Sequence, residues 1–403
     1  MKKTSKPKRI ALIVSAFPPL NISGAIQLRD LSQEFDRQGY CPTVMVPTND
    51  IEKPWKLENA DGVQVLRLKT PKIRDIGYVR RTLGELVLSF VMLRNIRKSP
   101  LCNIIWDGIV WYSPTIFFGP LVKVLKKKSD CQSYLIVRDI FPEWAADLGL
   151  ISRGIIYHFF KIVERYQYSV ANVIGVQTAA NLSYFDQWAK EDERRIEVLH
   201  NWLAKAPNVG SSFSVSKSTL AGRLIFVYAG NMGIAQGMEI LIDLAESLYN
   251  RSDVGFLFVG RGSAVEQLST DTNKRKLNNV LFHDELPSSE IPGLFLQCHF
   301  GLVALDQRHK THNIPGKFLS YMQAGLPVLA TINQGNDLNE LIQSEGVGRV
   351  CTDNSVETLK QLAEELADEF SAGMSNTENC YSLSKKLFSP KTAVEQIVSA
   401  LEI

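Results

Sequence analysis

Short apolar runs rich in Val, Ile and Leu alternate with longer amphipathic stretches from residue 9 almost to the end of the chain, and no other feature restricts the fold as much. A run of four to seven β-formers reads as a strand buried on both faces. Stretches with apolar residues three and four apart read as the helices that cover it. The chain is therefore expected to be an α/β protein. In the first half, strands are expected near 9–15, 43–46, 63–68, 103–106, 133–137, 173–176 and 196–199, with helices near 25–37, 82–97, 120–128, 154–169 and 179–188. The alternation stops at 206–218, a Ser-rich stretch without apolar period that reads as a linker. A second series follows, with strands near 223–229, 255–259, 280–282, 301–304, 327–330 and 349–351 and helices near 238–249, 289–296, 316–324, 337–344 and 356–370. A length of 403 residues suits two such domains, divided at 1–205 and 220–388. Two open sheets in sequence would create a cleft between them, with ligands beyond the carboxyl ends of the strands.

Charge and cysteine content narrow the class. The net charge is only +3, but residues 1–128 hold 22 Lys and Arg against 10 Asp and Glu. A basic front suits phosphate groups or an anionic membrane surface. The six cysteines are scattered, with no C-x-x-C pair, and read as reduced thiols of a cytosolic protein. The apolar run behind the basic N-terminus is too short for a signal segment. Residues 104–122 are broken by Asp107, Gly108, Pro114, Gly119 and Pro120, so no membrane span is expected.

Several loops follow strands where a ligand would sit. Phe17 to Ala25 leads into a helix and carries Gly24, which lets a ligand approach backbone. There is no G-x-G-x-x-G and no P-loop, so neither dinucleotide nor P-loop chemistry is indicated. Arg138-Asp139-Ile-Phe-Pro-Glu143-Trp144 places three charged groups and an indole after a strand; Asp139 as a helix cap is the competing reading. In the second half, Gly230, Asn231, Gly233, Gln236 and Gly237 join a strand to a helix, and Gly260-Arg261-Gly262 repeats the idea. Arg261 is a candidate diphosphate clamp. Pro315 and Gly316 start a helix that Gly325 ends, with Lys317 in its first turn. A cation there is disfavoured by the helix dipole unless an anion also binds, which argues for phosphate. No Asp-x-Asp triplet is present, so a metal-held nucleotide diphosphate is not expected and neutralisation falls to Arg, Lys and helix termini. His158, His200, His283 and His299 are scattered and read as structural, with His283 alone also counted as a donor contact.

Taken in order, these motifs resemble the family-four retaining glycosyltransferases of the GT-B fold over nearly the whole chain. His200-Asn201-Trp202 and Tyr321-Met-Gln-Ala-Gly-Leu-Pro-Val328 belong to the same ordered set. The run Asn313 to Met322 is most similar to bacterial O-antigen and capsule transferases that use UDP-N-acetyl-L-fucosamine. The resemblance implies two Rossmann-like domains facing each other across a cleft, the first for the acceptor and the second for the nucleotide sugar. It also implies a final helix, within 389–403, that crosses back to the first domain.

The resemblance implies donor contacts from Gly230, Asn231, Gln236, Gly260, Arg261, His283, His312, Pro315, Gly316, Lys317, Ser320 and Glu340. Acceptor contacts fall to Gly24, Arg138, Asp139 and Glu143, and catalysis to Asp139, Lys317 and Arg261. Departures from the family pattern are local. His312 and Ser320 stand where most members carry two Glu, Asn231 and Gln236 replace the usual diphosphate-binding Arg and Lys, and Arg138 stands where many relatives have His. Glu340 is the candidate replacement for the ribose ligand. The implied activity is retaining transfer from a UDP-sugar to an undecaprenyl-diphosphate-linked sugar in lipopolysaccharide O-antigen or capsule synthesis. It would need no metal or other cofactor and would occur at the anionic inner face of the cytoplasmic membrane, with no nucleic-acid partner. Two alternatives stand beside it: a catalytically silent nucleotide-sugar-binding partner of a glycan assembly complex, and a UDP-sugar epimerase.

Overall fold

A computed structural model describes residues 6–20, 22–147, 149–191, 194–207, 209–233, 236–306 and 314–403. Two compact units emerge: residues 1–202 with 390–403, and residues 203–389. In the first unit the strands are β1 (Arg9–Ile13), β2 (Cys41–Thr48), β3 (Trp55–Ala60), β4 (Val63–Lys69), β5 (Gly108–Tyr112), β6 (Gln132–Ile136), β7 (Val173–Val176) and β8 (Arg195–Val198). They lie in the order β3-β4-β2-β1-β5-β6-β7-β8, parallel except for β3, which pairs antiparallel with β4. β1, β5 and β6 are almost wholly buried, as expected of strands covered on both faces.

Helices α1 (Ser23–Arg37), α2 (Tyr78–Ile96), α3 (Gly119–Ser129), α4 (Glu143–Asp147), α5 (Ile155–Val170) and α6 (Asp186–Glu191) connect these strands. One core packs Leu88 and Met92 of α2, Leu121 and Val122 of α3 and Tyr168 of α5 on one sheet face. The other packs Leu28, Leu31 and Phe35 of α1 with residues 393–401.

The second unit is wholly parallel among its described strands: β9 (Leu224–Ala229), β10 (Val254–Val259), β11 (Val280–His283), β12 (Phe300–Ala304), β13 (Val328–Thr331) and β14 (Gly348–Cys351), ordered β11-β10-β9-β12-β13-β14. This is the doubly wound dinucleotide-fold order, in which the direction of travel reverses between the first and fourth strands. Phe226 of β9 stacks between Phe256 and Phe300 at 5.5 and 4.6 Å, locking the three central strands together. Helices α7 (Glu239–Ser247), α8 (Val265–Lys274), α9 (Ile291–Phe295), α10 (Gly316–Ala324), α11 (Asp337–Ser344), α12 (Val356–Ser371) and α13 (Thr377–Leu387) complete this unit. The terminal α14 (Pro390–Leu401) belongs to the first unit and packs Val394 and Ile397 into the α1 core.

Three sequence expectations need correction. The strand expected at 103–106 is β5, further along; Asp107 is tied to the start of β1, its N–H donating to the Arg9 carbonyl and its carboxylate accepting the Arg9 N–H at 2.8 Å. Residues 104–106 before it follow a turn and form no strand, and Ile105 is half exposed. The stretch 206–218 is no free linker in its described part. Ser212 donates its N–H and hydroxyl to Glu290, and Gln297 accepts from the Val215 N–H and donates to the Phe213 carbonyl, so the chain runs clasped to α9. Its serines serve turns. The helix expected at 179–188 begins as a 3-10 segment, Ala179–Phe185, before α6.

Candidate functional site

The carboxyl ends of β9, β10 and β12 meet at the reversal point of the second sheet, and α10 starts beside them. Pro315 caps α10 with φ −61° and ψ 140°, and Gly325 ends it in the left-handed region at φ 74°. Tyr321 sets its rotation: its hydroxyl donates to the Val227 carbonyl at 3.0 Å and accepts the Ala229 N–H at 3.3 Å, both on β9. Lys317, one turn earlier on the same helix face, is thereby aimed at β9. Its ammonium lies 4.1 Å from the Tyr228 ring centroid and donates to the Tyr228 hydroxyl at 2.7 Å. That hydroxyl donates in turn to the Asn231 carbonyl at 2.7 Å. Burial of the ammonium lowers the Lys317 pKa to about 8.

Around Lys317 the glycine loops close on each other. The Gly230 N–H donates to the Val259 carbonyl, the Met232 N–H to the Arg261 carbonyl and the Ala264 N–H to the Met232 carbonyl. Gly260, at φ 145°, lies so close that a Cβ would collide with the Gly230 carbonyl oxygen. Gly316 is different: a Cβ there meets no atom within 4 Å, and its φ is not positive. The fold requires glycine at 260; at 316 it leaves the start of α10 open.

The polar residues expected around this cradle take distinct places. Gln236 turns inward, its amide oxygen accepting the Gly233 N–H at 2.9 Å and the Asn231 side-chain amide at 3.4 Å, so the pair shapes the loop. Arg261 is exposed and pairs with Glu285 at 3.3 Å. His283 ends β11, its Nδ1 2.8 Å from the Asp284 carbonyl and its ring edge-on to Phe213 at 4.7 Å. Ser320 donates to the Gly316 carbonyl of its own helix. Glu340 is exposed in the first turn of α11. His312 lies outside the described residues. The cradle thus gathers Gly230, Asn231, Gly260, Gly316 and Lys317, with Tyr228 as the partner that the sequence reading passes over. The available signal is its position, two residues before Gly230 on a strand whose end faces Lys317.

In the first unit the reversal point falls between β1 and β5. Gly24, in the first turn of α1, sits there: a Cβ on it would lie 3.7 Å from the Tyr112 hydroxyl, an ordinary contact. Arg138, after β6, is buried; it donates to the Leu199 carbonyl at 2.8 Å and its guanidinium lies over Trp202 at 4.8 Å. Its Nε is buried without a hydrogen-bond partner among the described residues. Burial lowers its pKa, opposed by Tyr112 and Tyr134. Asp139 beside it is pushed up by desolvation and pulled down by Arg138. The residue is exposed, so water screens both effects. Glu143 is engaged elsewhere. Its carboxylate accepts from the Tyr157 hydroxyl at 2.8 Å and Lys161 at 2.9 Å, and desolvation is outweighed by these partners, which hold its pKa low. Of the first-unit candidates, Asp139 is exposed and Gly24 partly so, whereas Arg138 and Glu143 brace the loops around them.

Comparison with known proteins bears on the fold and on the second unit. Residues 223–369 match the family model described as Glycosyl transferases group 1. HepE from Anabaena, solved in complex with UDP, superimposes with a TM-score of 0.66 at 16% identity, covering 98% of this chain and 99% of that one. This protein is an α/β protein of the GT-B fold, and the segment that matches the group 1 glycosyltransferase model lies within its second unit. Two bacterial proteins are related by sequence. WbjE of Pseudomonas aeruginosa, described as a probable glycosyltransferase, is 23% identical over 240 residues, 58% of this chain and 59% of WbjE. WcaI of Escherichia coli K12, described provisionally as a colanic acid biosynthesis glycosyl transferase, is 23% identical over 276 residues, 63% of this chain and 64% of WcaI. The chain thus spans about three fifths of the length of these curated relatives.

Proposed function

We propose that this protein is a retaining glycosyltransferase of bacterial surface polysaccharide assembly. It takes a sugar from a UDP-sugar, of the UDP-N-acetyl-L-fucosamine type or a related acetamido or deoxy sugar, and adds it to a lipid-diphosphate-linked sugar for O-antigen or capsule. The observation that carries the reading is the Lys317 cradle: a partly desolvated ammonium and close-packed glycine backbones around the open start of a helix, suited to a diphosphate. The UDP held by HepE supports the nucleotide, and the descriptions of WbjE and WcaI support the setting.

In this reading UDP departs with the electron pair of the sugar C1–O bond, and Lys317 and the α10 start stabilise the charge that develops. Exposed Arg261 swings from Glu285 to the diphosphate, and Glu340 takes the ribose. The acceptor hydroxyl adds on the side UDP leaves and gives its proton to the departing diphosphate, and Gly24 and Asp139 of the first unit are assigned to the acceptor. No metal or other cofactor takes part. The acceptor's undecaprenyl chain stays in the cytoplasmic membrane, with the enzyme on its inner face. Incubation with a panel of UDP-sugars and a lipid-diphosphate-linked monosaccharide, read by mass spectrometry, tests this. A lipid-linked disaccharide plus UDP is expected; a new UDP-sugar without acceptor consumption, or donor binding without any product, would overturn it.

A further inference from the structure

Helices α2, α3 and α5 cover one face of the first sheet, and their outward sides are unusually apolar. On α2, Val79, Leu83, Leu86 and Phe90 recur at four-, three- and four-residue spacing opposite the buried Leu88 and Met92, and all four are exposed. On α5, Ile155, Phe159, Ile162 and Tyr166 repeat the same spacing and are exposed as well. The two stripes flank α3, whose outer side carries Val124 with Lys123, Lys127 and Lys128; Lys123 lies 5.6 Å from the Tyr166 ring centroid.

An ordinary solvated helix presents charge where these two present Leu, Ile and Phe, so the face needs a partner. The charge around it identifies the partner. α3 contains no acidic residue, and on α2 the one acid, Glu85, is buried and already bonded to Arg81 at 3.0 Å, leaving Arg80 and Arg94 beside the stripe. At the start of α5, Arg153 is matched by Asp147 at 3.0 Å. The surface is therefore apolar with a basic surround. Two copies of it facing each other would repel, whereas phosphate headgroups over acyl chains complement both features.

We propose that the outer face of α2, α3 and α5 docks on an anionic lipid bilayer, with the two apolar stripes entering the headgroup boundary. The most exposed side chains lie at the helix starts, Tyr78 at 83%, Val79 at 76% and Ile155 at 89%. Those starts sit at the carboxyl edge of the sheet: Arg74, just before α2, donates to the Ser15 carbonyl after β1 at 2.8 Å, and Tyr157 of α5 donates to Glu143. Docking thus brings the membrane to the edge that carries Gly24 and Asp139. Among the described residues no helix is long and apolar enough to cross a membrane, so attachment by this face is interfacial.

The inference deepens the lipid-linked acceptor reading, and its test needs neither donor nor acceptor. Full-length protein is floated with vesicles of phosphatidylethanolamine and phosphatidylglycerol, or of phosphatidylcholine alone. Binding only to the anionic vesicles is expected. Leu83→Ser with Ile162→Ser, both exposed, should keep the circular dichroism spectrum and reduce partition about tenfold or more. Lys123→Gln with Lys127→Gln should reduce it about tenfold and flatten its salt dependence. Equal partition of all variants would overturn the proposal. So would an apolar variant that turns a wild-type dimer into a monomer in sedimentation, which would give the face to a second copy. Sugar transfer to a detergent-dispersed acceptor is measured separately, so loss of docking and loss of the enzymatic reading are told apart.

Discussion

UDP affinity should fall as pH rises through the titration of Lys317. Burial lowers the free-protein pKa of this lysine from 10.5 to about 8. A bound diphosphate restores the charged form, so the bound-state pKa is the higher of the two and binding takes up a proton above about pH 8. Well below that pH the lysine is already charged and affinity is flat. One unit above it, only about a tenth of the free protein is protonated, so Kd weakens about tenfold, or about 1.4 kcal/mol. The effect on folding has a definite sign. The folded-state pKa is depressed, so the cost of holding a buried ammonium is fully present below about pH 8 and disappears as pH rises towards 10.5. Isothermal titration of UDP at about pH 7 and about pH 9 measures the first effect. Lys317→Met, which keeps the bulk near Tyr228, should bind about 10- to 100-fold more weakly at neutral pH and lose the slope. A flat wild-type profile, or the same slope in Lys317→Met, would refute the reasoning.

Further outcomes follow from the same geometry. Gly260→Ala should cost about 2–4 kcal/mol in urea unfolding and abolish UDP binding, because its Cβ meets the Gly230 carbonyl at a φ of 145°. Gly316→Ala should leave stability unchanged or raise it by up to about 1 kcal/mol while weakening UDP binding, since its Cβ meets only the space the ligand needs. Lys161→Met should destabilise by about 3 kcal/mol in thermal unfolding, because it strips Glu143 and the buried Glu164 of their shared cation. Chelation with EDTA should leave transfer rates unchanged.

The strand-and-helix alternation of the second unit is legible in the sequence because its strands are short, parallel and buried on both faces, and because α10 carries Pro at its start and Gly at its end. The elements that escape are those whose burial is slight. β3 is a half-exposed edge strand, α8 buries only Leu268 and Thr272, and α13 only Cys380 and Leu383. The Ser-rich stretch misleads because polarity there serves Glu290 and Gln297 of α9 and its flank rather than solvent. The phosphate role proposed for the glycine loops and Lys317 rests on their place in the sequence beyond strands and at a helix start. What each charged group touches is not legible there: Arg138 under Trp202, Glu143 in the Lys161 network and Gln236 within its own loop depend on contacts distant in sequence or on loop geometry. The exposed stripes of α2 and α5 escape for another reason, since helical period reveals an apolar face but not whether the fold covers it.

Turnover of Lys317→Ala at saturating donor tests the central claim most directly. If Lys317 stabilises the departing diphosphate, kcat should fall by about a hundredfold or more even when every site holds donor. A kcat near that of the wild type, with only KM raised, would contradict it.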